Sequence, residues 1–318
     1  MNSRQRFRTV MANGDPDRVP FLEEGVRSGV IESWRAQGMP DVPLEILFDL
    51  DQRLELAPEL LPDKWPADRS GLAAFRRDLD PDDPARLPSG WTGQVRSRQD
   101  KGHTTLLRVH RGLYQTLGVA DWRRFAEANI LLKDKPELVK SILTIQAEFA
   151  AALLERILPE VTVDGAIFSE PISGNSGPLI SPWMFEELIS YSYDPLLQVL
   201  HRHGVETIIV RTYANARILL PAFIERGFNC LWACEVELEA MDYDAIRSEY
   251  GHDLRLIGGI DVDVLRQDEE AIRRELLQKV PPLLQSKGFI PLADGRVRGI
   301  VPYDNHVTYR NLLAEIAS

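Results

Sequence analysis

The stretch 205–261 constrains the fold more than any other part of this chain. Three short apolar runs, at 207–210, 229–233 and 254–260, alternate there with amphipathic segments of helix length. Buried parallel strands read as near-continuous apolar runs. Their alternation with helices predicts a parallel sheet covered by helices. Each run ends in polar or small residues: Arg211-Thr212-Tyr213, Cys234-Glu235 and Gly259-Ile260-Asp261. In folds of this class chemistry collects at the carboxyl ends of strands. The same stretch therefore supplies both a fold and a set of candidate site residues.

The rhythm extends outward. The pattern predicts helices over 121–132 and 135–158, a strand over 163–168, a loop over 169–181 and a helix over 182–203. After Asp261 it predicts a helix over 268–287, a strand over 289–292, a loop over 293–302 and a closing helix near 304–316. Upstream, a helix lies within 1–18, a short strand at 19–22 and a helix at 28–37. The segment 38–100 is rich in proline and charge. It reads as an irregular insertion or lid, with 95–98 and 104–109 as a strand pair. No Gly-rich fingerprint opens an early helix, and polar strand ends are spread along the whole chain. These features favour a single α/β domain over 1–318, a closed (β/α)8 TIM-type barrel, over an open doubly wound sheet.

A formal net charge of -11 disfavours nucleic acid and anionic membranes as partners. The cysteines, Cys230 and Cys234, do not make a disulfide framework. The opening residues lack an apolar signal-peptide core, and no apolar run approaches the ~20 residues that span a bilayer. The expectation is a soluble, cytoplasmic protein acting on a small molecule.

Several segments together resemble the uroporphyrinogen decarboxylase-like superfamily. They are Asp17-Arg18-Val19-Pro20, Glu24-Gly25-Val26-Arg27, DKPELV (134–139), SGPLISPWMF (176–185), GFNCLWACEVE (227–237), YGHDLRLIGGID (250–261) and KGFIPLAD (287–294). That group holds porphyrinogen decarboxylases and methyltransferases acting on corrinoid or thiol acceptors. The resemblance implies a TIM-type barrel and leaves a homodimer open. The chain also departs from the family. The decarboxylases' arginine-rich motif is replaced by residues 21–27, where only Arg27 could grip an acid group. The methyltransferases' zinc-binding His-x-Cys pair is replaced by Arg211-Thr212-Tyr213, and arginine cannot shed its proton to bind a metal. Cys234 is the one residue retained as a metal-ligand candidate, while Cys230 reads as a small core residue. Tyr213-Ala214-Asn215, Val262 and Asp294-Gly295 stand where other members carry Asp-Gly-Asn, Lys and Asp-His.

The candidate catalytic residues are Glu170, Tyr213 and Asp261. The candidate substrate-binding residues are Glu24, Arg27, Arg211, Asn215, Glu235 and Asp294. Arginine suits a bidentate grip on a carboxylate, and a carboxylic acid or Tyr213 could supply a proton. Plainer roles compete: Arg27 as an ion-pair partner of Glu23 or Glu24, Asp261 and Glu235 as helix caps, Glu170 as a loop tie. Trp183 and Trp232 read as core aromatics. The leading functional expectation is a metal-independent decarboxylase or carbon–carbon lyase on a small anionic carboxylate, with no cofactor favoured. The first alternative is methyl transfer with a corrinoid or thiol acceptor, dependent on zinc. The second is a non-catalytic ligand-binding relative.

Overall fold

The computed structural model describes residues 1–317, which fall into two compact units. One, here the terminal unit, comprises Met1–Arg53, Gly102–Thr104 and the chain from Cys230 onward; the central unit comprises Leu54–Lys101 and Thr105–Asn229.

In the central unit β1 (Arg53–Leu56) is followed by β2 (Thr104–His110) and β3 (Gly165–Glu170), then by a small antiparallel ladder of β4 (Ser173–Gly174) and β5 (Gly177–Pro178), then by β6 (Ile208–Ala214). Of these strands, the apolar runs anticipated β2, β3 and β6, but not β1, β4 or β5. β3 pairs in parallel with both β2 and β6. Helices Trp122–Asp134 and Pro136–Ile157 lie close to their expected bounds. The single helix expected over 182–203 is broken into Pro182–Leu188, a short 3-10 turn Ser190–Tyr193, and Asp194–Arg202. Pro195 explains the break: it has no N–H to donate to the preceding turn and suits only the first turn of a new helix. The break places Tyr193 in a cluster with Phe168, Phe185, Phe223 and Phe228.

In the terminal unit β7 (Cys230–Val236), β8 (Arg255–Ile260) and β9 (Phe289–Ala293) pair in parallel. The buried Tyr243 hydroxyl accepts from the amide of Ala233 and donates to the carbonyl of Ile257, joining β7 to β8. Gly259 lets its ring in. A Cβ there would lie 2.8 Å from Tyr243 Cδ2, and the residue sits at φ +85°.

Several expectations are corrected. The strand at 19–22 does not form. Pro20 has no N–H for a ladder, and the backbone of Phe21 is bonded instead to Asp51, through both the Asp51 carboxylate and its amide. Only an isolated parallel bridge, Val26 with Val297, follows. The main strands among the described residues number seven, β1–β3 and β6–β9, so the eight-stranded closure is not formed. What is observed is an α/β arrangement of parallel strands and connecting helices. Residues 95–98 are not strand but part of helix Trp91–Asp100, whose buried face is Val95. The segment 38–100 is more regular than expected, since it also holds β1 and helix Leu72–Asp78. Trp232 is buried, but Trp183 is 69% exposed and is no core residue. No helix among the described residues is long and apolar enough to cross a membrane.

Candidate active site

Side chains alternate between the two faces of a strand. In the central unit Arg108 and Ile209 stand opposite Ile167, and Arg211 stands opposite Ser169. Arg108, Ser169 and Arg211 therefore share one face. Phe168, Glu170 and Thr212 occupy the other, which the aromatic cluster covers. A register irregularity between Arg108 and His110 sets His110 beside Phe168, and its ring stacks there at 6.1 Å between centroids.

Glu170 consequently lies beneath the helices, 1% exposed. Its Oε1 accepts from the Leu113 amide at 2.9 Å and its Oε2 from the Tyr193 hydroxyl at 2.6 Å. Burial pushes its carboxyl up to about 7, against the opposing pull of these two donors. His110 Nδ1 lies 3.8 Å from Oε2, but this is not an ion pair. Burial lowers His110 to about 4, so the imidazole is neutral, and Nδ1 accepts a hydrogen bond from the Gly112 amide. Gly112 is required at this crossing: at φ +95°, a Cβ would lie 2.7 Å from Pro171 Cδ and 2.9 Å from the Ser169 carbonyl oxygen.

On the opposite face Arg211 forks onto Glu55, Nη2 to Oε1 at 2.8 Å and Nη1 to Oε2 at 3.3 Å. Arg108 Nη2 donates to the same Oε2 at 2.8 Å. Tyr213 follows two residues after Arg211 and is half-buried; Asn215 accepts from the Arg217 amide and donates its own amide to Gly174. Between them Ala214 takes a left-handed conformation, φ 52°, which directs the chain away from the strand.

In the terminal unit Asp294 is 3% exposed. Its carboxylate accepts from the Val236 amide at 2.9 Å and the Val262 amide at 3.0 Å, and so ties the ends of β7 and β8. Burial raises it to about 6. Asp261 accepts from the Asp263 amide and caps the turn Val262–Arg266; burial raises its carboxyl too. Glu235 is exposed at φ 45°, with its carboxylate 3.8 Å from the Arg298 guanidinium. The Cys234 thiol donates to Glu24 at 3.8 Å. Arg27 is exposed at the N-cap position of helix Ser28–Ala36. Glu23 lies 3.7 Å from His306, where burial raises the carboxyl and lowers the imidazole to about 3.

The structure thus brings Arg211 together with two residues that sequence reasoning missed, Glu55 and Arg108. It turns Glu170, one strand away from Arg211, to the other face. His110, Tyr193 and Glu23 were also missed. A usable signal existed for Arg108, a charge inside the apolar run TTLLRVH. Glu55 gave none, because it sits in the proline-rich segment. A zinc site does not fit the donor set: no group of three or more His, Cys, Asp or Glu among the described residues is placed to hold a metal ion, and the Cys234 thiol donates to a carboxylate.

No protein-family model matches the sequence, and no curated protein matches it. Among solved structures, the methyltransferase from Methanosarcina mazei aligns over 99% of this chain and 99% of its own at 15% identity, with a TM-score of 0.67. A candidate vitamin-B12 independent methionine synthase from Listeria monocytogenes aligns over 95% of this chain and 100% of its own at 9% identity. Its TM-score of 0.45 is too low to carry an argument. The first alignment shows a shared fold along nearly the whole chain. That shared fold is the one the sequence resemblance implies.

Proposed function

We propose that the protein is an enzyme that moves a methyl group between a small anionic substrate and a thiol or corrinoid carrier. The observation that carries this reading is the cluster of Arg211, Glu55 and Arg108, in a fold shared with a methyltransferase. Guanidinium groups held on rigid strands orient an anionic substrate. In this reading Tyr213, two residues beyond Arg211 on the same strand, would donate its hydroxyl to an oxygen of that substrate. Toward a thiol acceptor, the thiol would lose its proton to solvent, and the methyl group would pass from the donor to the thiolate sulfur as its bond to the donor breaks; a corrinoid, when bound, would supply the methyl group.

Decarboxylation is the second reading. It is favoured by one observation, that Arg211 and Tyr213 occupy the strand end where the family's zinc ligands are expected. Assays on the purified protein separate the two. Methyl transfer predicts movement of a 13C-labelled methyl group between methylcobalamin or a methyl thioether and a thiol, followed by NMR. Arg211→Ala is expected to slow it about 100-fold, the effect of losing a charge-assisted grip. Release of CO2 from a panel of small carboxylic acids, with no methyl movement, would replace the first reading by the second.

A further inference from the structure

We propose that Arg108 and Arg211 form a carboxylate-binding subsite, and that Glu55 is its built-in occupant, displaced by a substrate carboxylate. This rests on the function proposed above for its use of Arg211. It deepens that reading by naming the anion and adding two residues.

The geometry is that of a loaded site. Three charge-assisted hydrogen bonds, from guanidinium groups on two different strands, converge on the two oxygens of one carboxylate. Arg211 supplies the planar fork that matches a carboxylate, and Arg108 closes on Oε2. The two arginines project from the same face of β2 and β6, strands that both pair with β3, so their spacing is set by the sheet. Glu55 comes from the four-residue β1, at the start of the proline-rich segment. The trio also reaches the surface. The Arg211 side chain is 7% exposed, that of Glu55 18% and that of Arg108 27%.

Burying guanidinium groups is costly unless each finds an anion. Glu55 meets that requirement when no substrate is bound. An incoming carboxylate would take over the same hydrogen bonds while Glu55 turns to water. The exchange replaces one carboxylate by another, so the arginines are never left without a partner, and the residual preference is set by what else the substrate touches. Glu55 then acts as an internal competitor that screens out weak anions.

The test uses acetate as the carboxylate probe. Glu55→Ala leaves the two arginines facing an empty carboxylate position. About 100 mM acetate is expected to raise its Tm by about 3 °C relative to chloride at equal ionic strength. Wild type should not respond, and Arg108→Met on the Glu55→Ala background should abolish the response. If Glu55→Ala does not fold, Glu55→Gln with 13C-labelled acetate followed by NMR line width reads the same binding. A merely structural trio would give variants with no acetate-specific response, and that result overturns the proposal. Stabilisation by inorganic phosphate that exceeds that by acetate would overturn the carboxylate assignment. An acetate response without methyl transfer would leave the subsite standing and remove the proposed reaction. Methyl transfer without an acetate response would do the reverse.

Discussion

The two units end corresponding strands in the same way and use the charges there differently. β6 at its last residue and β7 at its last but one carry a non-glycine residue in the left-handed region, Ala214 at φ 52° and Glu235 at φ 45°. Such residues persist only where their surroundings hold them. In the terminal unit the nearby carboxylates are spent on backbone: Asp294 holds two amides, and Asp261 caps a turn. In the central unit the strand-face charges bind one another as side chains, two guanidiniums on one carboxylate. Strand-end carboxylates that look alike in sequence are therefore of two kinds. One kind fastens the strand ends to backbone amides, and the other is paired with guanidinium groups.

The largest effect expected to break or sharpen this contrast is at Asp294. Asp294→Ala leaves the Val236 and Val262 amides without their acceptor, a loss of about 4 kcal/mol at the usual cost per buried unsatisfied group. Urea unfolding measures it. An unchanged midpoint with lost turnover would move Asp294 from the fastening class to the reacting one.

Next is Glu170. Burial pushes its carboxyl from 4.5, the ordinary glutamate value, up to about 7, so the folded state binds the extra proton between those values. Its contribution is fully present below pH 4.5 and is lost as pH rises through 7. Against Glu170→Gln, which does not titrate, wild type is expected to lose about 3 kcal/mol of relative stability between pH 4 and pH 8. Paired urea titrations across that range check it, and a parallel pair of curves would refute it.

Arg211→Lys keeps the charge but loses the planar fork. It should raise KM about 10-fold, with the Tm nearly unchanged, if the central charges serve a ligand. A fall in Tm alone would put Arg211 in the same class as Asp294. The smallest expected effect is at the shared strand-end strain. Ala214→Gly and Glu235→Gly should each stabilise by about 0.5 kcal/mol, as relief of the left-handed conformation slightly exceeds the entropy cost of glycine. Opposite signs at the two positions would end the likeness between the units.

β2, β3 and β6–β9 were legible because their apolar runs are buried; β1, with one buried residue of four, left no such run. The site was less so. Whether Glu170 or Arg211 shares a face with Arg108 depends on register and on the irregularity before His110. A one-residue slip reverses every side chain without changing the apolar pattern. Tyr193 reaches Glu170 only because the helix breaks at Ile189, which the periodicity of 182–203 hides.

By itself, the sequence determined the order of the main strands and helices from residue 104 onward, the positions where those strands end, and the presence of arginine where a metal ligand is expected. These are local properties, carried by hydrophobic run length and residue chemistry. The tertiary structure alone decided which strand-end groups meet. Glu55 and Arg211 are 156 residues apart, and their pairing is set by strand register and by the burial that makes an unpaired charge costly.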